Sequence, residues 1–97
     1  MITRLWLGTR RDGLDLAGFS AHWHDVHGAY GLAIPGLRAY VQNHLLADPS
    51  PLDHPWFDGC SELDFDDVAA MADAFASPQL AAADEDERAF ADPARFG

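Results

Sequence analysis

Between Asp15 and Tyr30, apolar and aromatic side chains recur at helical spacing, and this stretch restricts the fold more than any other. Asp15 is a helix N-cap by residue type. After it, Leu16, Phe19, Trp23, Val26, His27 and Tyr30 fall within a sector roughly 100° wide when about 100° is allowed per residue. Gly28 and Gly31 loosen the pattern, and Ile34-Pro35-Gly36 stops it. The spacing predicts one amphipathic helix over 15–30 whose Phe/Trp/His face must be buried against a second layer.

That second layer is a sheet. Ile2 to Arg10 is a short β-type run ended by Arg11-Asp12-Gly13, and both of its faces carry apolar residues, which suits a strand covered on both sides. Leu37 to Leu46 alternates, with Leu37, Ala39, Val41, Asn43 and Leu45 on one face and Arg38, Tyr40, Gln42, His44 and Leu46 on the other. A proline-rich loop over 48–55 follows, and then a third strand from Gly59 to Phe65. Asp66 is expected to cap a helix with Val68, Met71, Ala72 and Phe75 on one face. Ser77-Pro78 restarts the chain as a last helix from Gln79 to about Phe90. The order β-α-β-β-α-α, without internal repeat or linker, describes a single α+β domain over residues 1–97. It follows the ferredoxin-like β-α-β-β-α-β pattern except at its end.

Charge excludes several partner classes. Sixteen acidic residues against six basic ones, all Arg, give a net charge of −10. Such a chain is repelled by phosphate backbones and anionic lipid, so neither a nucleic acid nor a membrane surface is expected as partner. Asp84-Glu85-Asp86-Glu87 reads as a solvated helix face. One cysteine, Cys60, precludes an internal disulfide and fits a reducing compartment. With no apolar signal core at the N-terminus, the cytoplasm is the default location. A domain this small buries a limited share of its surface, which favours self-association.

The text Phe19-Ser-Ala-His22-Trp23-His-Asp-Val-His27, followed by Ile34-Pro-Gly-Leu-Arg-Ala-Tyr40-Val-Gln-Asn43, resembles the EthD family of dimeric α/β-barrel proteins. The family carries a Phe-x-x-His-Trp-x-x-x-His helix and a Pro-Gly-Leu-x-x-Tyr strand. Asp58-Gly-Cys-Ser-Glu62-Leu-Asp-Phe65 is similar to the family's third strand. The resemblance implies a ferredoxin-like subunit that forms a homodimer by joining two sheets into a barrel, with a small-molecule pocket between the sheet and helices of each subunit. Relatives implied by it include 4-methylmuconolactone methylisomerase, polyketide cyclases, cofactor-free monooxygenases and EthD-domain dehydratases. The family pattern closes with a fourth strand after the last helix, whereas here Asp92-Pro93-Ala94-Arg95-Phe96-Gly97 follows. A truncated or remodelled terminus is the expectation, with the first strand left as an open edge unless a partner covers it.

His27 is the first candidate for chemistry. It shares the apolar helix sector with Trp23, and burial would keep it neutral near pH 7, as a general base requires. Tyr40, the motif tyrosine, would donate to a substrate carbonyl or developing enolate. The competing readings are a core histidine bonded to a backbone carbonyl and a core tyrosine satisfied locally. Trp23, Trp6, Asn43 and Glu62 are candidate substrate-binding residues, although strict alternation sets Asn43 on the face opposite Tyr40. Trp6, Trp23 and Trp56 also suit core and rim. His22 lies five residues before His27, about 140° away on an α-helix, so the two are not expected to share one ligand. His24 is expected to be exposed.

A metal site would need further ligands, for which His44 and His54 are unplaced, so none is assigned. Cys60 lacks a neighbouring base and reads as an inert thiol. No phosphate loop, Ser-His-Asp set or dinucleotide fingerprint occurs, so no cofactor is assigned. The sequence leads to a small cofactor-free enzyme acting by acid–base chemistry on a hydrophobic carbonyl or phenolic metabolite, through cyclisation, dehydration or isomerisation. A non-catalytic ligand-binding or accessory protein and a cofactor-free monooxygenase are the alternatives.

Overall fold

The computed structural model describes residues 1–45 and 57–92. Strand β1 (Ile2–Gly8) leads into α1 (Leu16–His22), a π-helical turn (Trp23–His27) and α2 (Gly28–Leu32), which together form one continuous helical segment. Strands β2 (Ala39–His44) and β3 (Gly59–Phe65) follow, then α3 (Val68–Phe75) and α4 (Pro78–Glu87). The element order is the one expected from the sequence. Trp56 and His54, both weighed above, lie outside the described residues.

The sheet has the order β1-β3-β2 and is antiparallel throughout. Arg4 and Tyr40 stand on either side of Leu63, and Trp6 and Gln42 on either side of Ser61. Because side chains alternate along a strand, these residues share one sheet face, and the helices cover it. The other face carries Thr3, Leu5, Val41, Asn43, Glu62 and Asp64. Leu5 is 59% exposed there and Val41 44%, so β1 is covered on one side and open on the other within this chain.

Each helix start is fixed by a side chain that accepts an otherwise unpaired backbone N–H. Asp15 accepts from Gly18 N, Asp67 from Ala70 N and Ser77 from Leu80 N, with Pro78 at the first helical position. Asp67 takes the capping role that the sequence offered to Asp66. Asp66 instead receives two hydrogen bonds from the Arg38 guanidinium, at 2.9 and 2.7 Å. The one-residue shift also turns α3, leaving Val68 63% exposed and burying Ala74.

Two buried clusters hold the layers together. Trp6, Phe19, Trp23, Phe90 and Ala91 form an aromatic one, and Ile34, Leu63, Phe65 and Ala74 a more aliphatic one. After α4 the chain pairs back on the residues beyond β1: Arg10 and Ala91 form an antiparallel bridge, and Asp92 N donates to Thr9 O at 2.8 Å. Among the described residues this bridge is what stands where the ferredoxin-like pattern has its fourth strand.

Candidate active site

The long helix departs from the sequence expectation at its centre, and the site depends on that departure. Trp23 to His27 is wound as a π-helix, whose hydrogen bonds run i→i+5 rather than i→i+4, so that each residue turns through less than about 100°. His22 and His27, 140° apart on an ideal α-helix, are therefore brought to the same side. Both reach Asp86 of α4. His27 Nδ1 lies 2.8 Å from Asp86 Oδ2, and His22 Nε2 lies 3.2 Å from each carboxylate oxygen. The same unwinding turns Val26 and Tyr30 away from the core, leaving them 44% and 40% exposed.

Asp86 fixes the chemistry of His27. A carboxylate only accepts hydrogen bonds, so His27 Nδ1 carries the hydrogen and Nε2 keeps its lone pair. Phe90 packs against both rings, with centroids 5.1 Å from His22 and 4.9 Å from His27. Burial pushes the His27 pKa below its ordinary value of 6.5, and the bond and charge of Asp86 oppose that shift without cancelling it. His27 is thus a neutral imidazole at neutral pH with one free basic nitrogen.

Tyr40 approaches from β2. Gly31 of α2 makes its position possible, since a Cβ there would stand 2.6 Å from the tyrosine ring. Gln42 Nε2 donates to Tyr40 Oη at 2.8 Å and to the Trp23 carbonyl at 2.9 Å. Gln42 Oε1 in turn accepts from His44 Nε2 at 2.8 Å, and His44 Nδ1 bonds the Ser20 hydroxyl. Since Tyr40 Oη accepts from Gln42, its own hydrogen is available to another acceptor. Burial raises the phenol above its ordinary value of 10.0, against donors from Gln42 and Trp23. The group is a protonated donor across the physiological range.

His27 and Tyr40 line the same cavity, a space of about 70 Å³ between sheet and helices. Trp6 and Arg4 of β1, Trp23 of the π turn, and Asp84 and Glu87 of α4 border it as well. Its volume is well below the roughly 300–1,000 Å³ usual for a small-molecule site. A larger open groove of about 510 Å³ runs past the other side of Tyr40, between Gln42 and His44 of β2 and His24 and Leu32 of the helical segment.

Of the six residues singled out from sequence, His27, Tyr40, Trp23 and Trp6 line the cavity, and Asn43 and Glu62 do not. Alternation along β2 and β3 is regular, so both lie on the open sheet face, where Asn43 Nδ2 donates to Glu62 Oε2 at 2.9 Å. The structure thus sets both apart from this cavity. Cys60 shares the open face, its thiol pushed up by burial and by the Glu62 charge. His24 is exposed and bonds Asp25. Among the described residues no group of three or more His, Cys, Asp or Glu is arranged to hold a metal ion.

The acidic run is not a uniformly solvated face. Asp86 has a side chain only 12% exposed, and Glu87 lies at the cavity, its carboxyl raised by burial and by Asp84. Sequence reasoning missed Asp86, Glu87 and Arg4. Register would have found the first two, because Ala83, Asp86, Glu87 and Phe90 fall at i, i+3, i+4 and i+7, which marks the inward side of α4.

Comparison with known proteins agrees with this fold. The structure resembles an EthD family protein from Bacillus halodurans C-125, at 24% identity and a TM-score of 0.74, covering 94% of this chain and 88% of that one. It also resembles HapK from Hahella chejuensis, at 16% identity and a TM-score of 0.67, covering 95% and 84%. A dimeric protein of unknown function and ferredoxin-like fold from Bacteroides fragilis NCTC 9343 matches at 13% identity and a TM-score of 0.65, covering 93% and 85%. At such identities the likeness is one of fold. No match is found among curated proteins. No helix among the described residues is long and apolar enough to cross a membrane. The model of the EthD domain matches residues 11–94, most of the chain, and with that match the chain belongs to the EthD family.

Proposed function

We propose that the cavity is the active site of an acid–base catalyst for a hydrophobic carbonyl or phenolic metabolite, carrying out a cyclisation, dehydration or isomerisation. The observation that carries this reading is His27, tied through Nδ1 to Asp86 and left with a basic Nε2 in a cavity it shares with the Tyr40 hydroxyl. His27 abstracts a proton next to the substrate carbonyl, and Tyr40 donates to the oxygen as charge develops there. Asp86 is the positioning residue that holds the imidazole in its tautomer. Native mass spectrometry of the protein from its own host would identify a retained metabolite to use as substrate. With it, His27→Ala is expected to lower turnover by about 10²–10⁴-fold, and Tyr40→Phe by less. Unchanged turnover in both variants would refute the assignment.

The size of the cavity favours a second reading, a non-catalytic binding or accessory protein. At about 70 Å³ the cavity is too small to enclose a whole metabolite of that class. A retained metabolite that is released unchanged by the purified protein would support this reading over catalysis.

We also propose a homodimer through the open sheet face, on which Leu5 and Val41 are exposed. Exposed apolar surface of this kind commonly marks an interface, and the Bacteroides fragilis relative is described as dimeric. Sedimentation is expected to show a dimer that Leu5→Asp converts to monomer. A monomeric parent protein would end this proposal.

A further inference from the structure

Trp6 and Arg4 lie two residues apart on the helix-facing side of β1, and both line the cavity. Trp6 is 7% exposed, yet its indole Nε1–H finds no hydrogen-bond partner of proper geometry among the described residues. The Glu87 carboxyl is the nearest acceptor, and both the indole donor and the Arg4 charge pull its pKa down, but the indole makes no well-aligned bond to it. The Arg4 guanidinium rests on the Phe75 ring, 4.8 Å from its centroid, and makes no ion pair with the described residues. A buried donor without an acceptor is costly and rare in folded proteins. This buried indole donor and the half-buried Arg4 guanidinium face one small cavity, where a ligand oxygen would accept from both.

We infer that Arg4 and the Trp6 indole N–H form an oxygen-binding subsite that takes the neutral carbonyl of the substrate. This rests on the acid–base reading of the same cavity and narrows its substrate class. Asp84 and Glu87 border the subsite, so a ligand carboxylate would be repelled, whereas an uncharged carbonyl oxygen is accepted and gains charge only during reaction. Burial raises the Glu87 carboxyl and lessens its opposition to that developing charge. In the step itself, His27 Nε2 takes the proton from the carbon next to the carbonyl. The C–H electron pair becomes the C=C bond of an enolate, and the carbonyl π pair moves to the oxygen held by Arg4 and Trp6, to which Tyr40 also donates. Return of a proton to carbon or oxygen completes the exchange.

Acetone and acetate, nearly identical in shape and different in charge, test the inference on the full ¹⁵N-labelled chain. The Trp6 indole resonance is assigned by its loss in Trp6→Phe. Acetone is expected to shift it saturably, with acetate at least about ten-fold weaker, and Arg4→Gln is expected to weaken acetone by about three- to ten-fold, the loss of one hydrogen bond. A fold-disrupted Trp6→Phe would not affect the Arg4→Gln arm. Absence of a saturable shift, tighter binding of acetate, or unchanged affinity in Arg4→Gln would each overturn the subsite. Protein-dependent exchange of the acetone methyl hydrogens in D₂O, followed in parent and His27→Ala proteins, reads out the base separately. A Trp6 shift without His27-dependent exchange keeps the subsite and defeats the acid–base reading, and exchange without the shift does the reverse.

Discussion

Trp6, Phe19, Trp23 and Phe90 pack together at the Gly8 end of the sheet, while Ile34, Leu63, Phe65 and Ala74 pack at the Ile2 end. The two clusters bury their side chains equally well, since Phe90 and Phe65 are both 0% exposed. Their borders differ. Around the aliphatic cluster stand Ile2, Leu37, Met71, Phe75 and Leu80 together with Tyr40, whereas His22 and His27 lie on Phe90 and His44 lies on Trp23 with centroids 4.3 Å apart. Aromatic rings offer flat apolar faces to an imidazole while leaving its edge free for hydrogen bonds. One cluster therefore supplies mainly stability and a seat for Tyr40, and the other supplies stability together with a platform for the histidines. The cavity occupies the seam between them, with Trp6 and Trp23 from one side and Ile34 and Leu63 from the other.

The contrast is broken most strongly by truncating its two phenylalanines. Phe65→Ala and Phe90→Ala are each expected to cost about 3–5 kcal/mol, as for other large-to-small core changes, measured by urea denaturation. The His27 titration should separate them. Phe90→Ala removes part of the burial that lowers the His27 pKa, so the value should climb toward 6.5. Phe65→Ala should leave it in place. Phe→Leu at each site offers a milder version should either alanine variant prove too unstable. Equal movement of His27 in both variants would mean that the clusters act as one unit.

The strands and the layer order were legible in the sequence because alternation and capping are local. Gly59–Phe65 alternates regularly in the structure, and the same alternation puts Asn43 opposite Tyr40 in the pleat, as strict alternation in the sequence implied. The helix centre was not legible. Nothing in Trp23-His24-Asp25-Val26-His27 distinguishes a π turn from an α turn. The turn is fastened by distant partners, Gln42 on the Trp23 carbonyl and Asp86 on the two histidines. Asp86 and Glu87 were hidden for a different reason: a run of four acids read as composition suggests solvent, while the register of α4 turns two of them inward. Arg4 left no signal, because an arginine beside a tryptophan on a mixed strand face is equally compatible with a solvated guanidinium.

A smaller and more specific effect is expected from Asp86→Asn, which keeps side-chain shape while removing the charge and one acceptor. Two histidine bonds weaken together, for an expected loss of about 1.5–3 kcal/mol near neutral pH. Its pH dependence is the sharper observation. His27 has a folded pKa below 6.5, with burial as the main cause and Asp86 acting in the opposite direction. Between that lowered value and 6.5 the unfolded chain binds more protons than the folded one, so stability rises with pH through this window and is lost as pH falls through it. Without Asp86 the folded value drops further, the window extends to lower pH, and the acid loss grows. Glu87, whose raised carboxyl gives the opposite slope above its ordinary 4.5, is present in both proteins and largely cancels in the comparison, as does Asp84. Denaturation midpoints followed from pH 8 down to about 5 should therefore diverge between the parent and Asp86→Asn as the medium becomes acidic. Parallel curves would show that burial against Phe90 alone sets His27, and would leave the aromatic end of the core with no electrostatic role for Asp86.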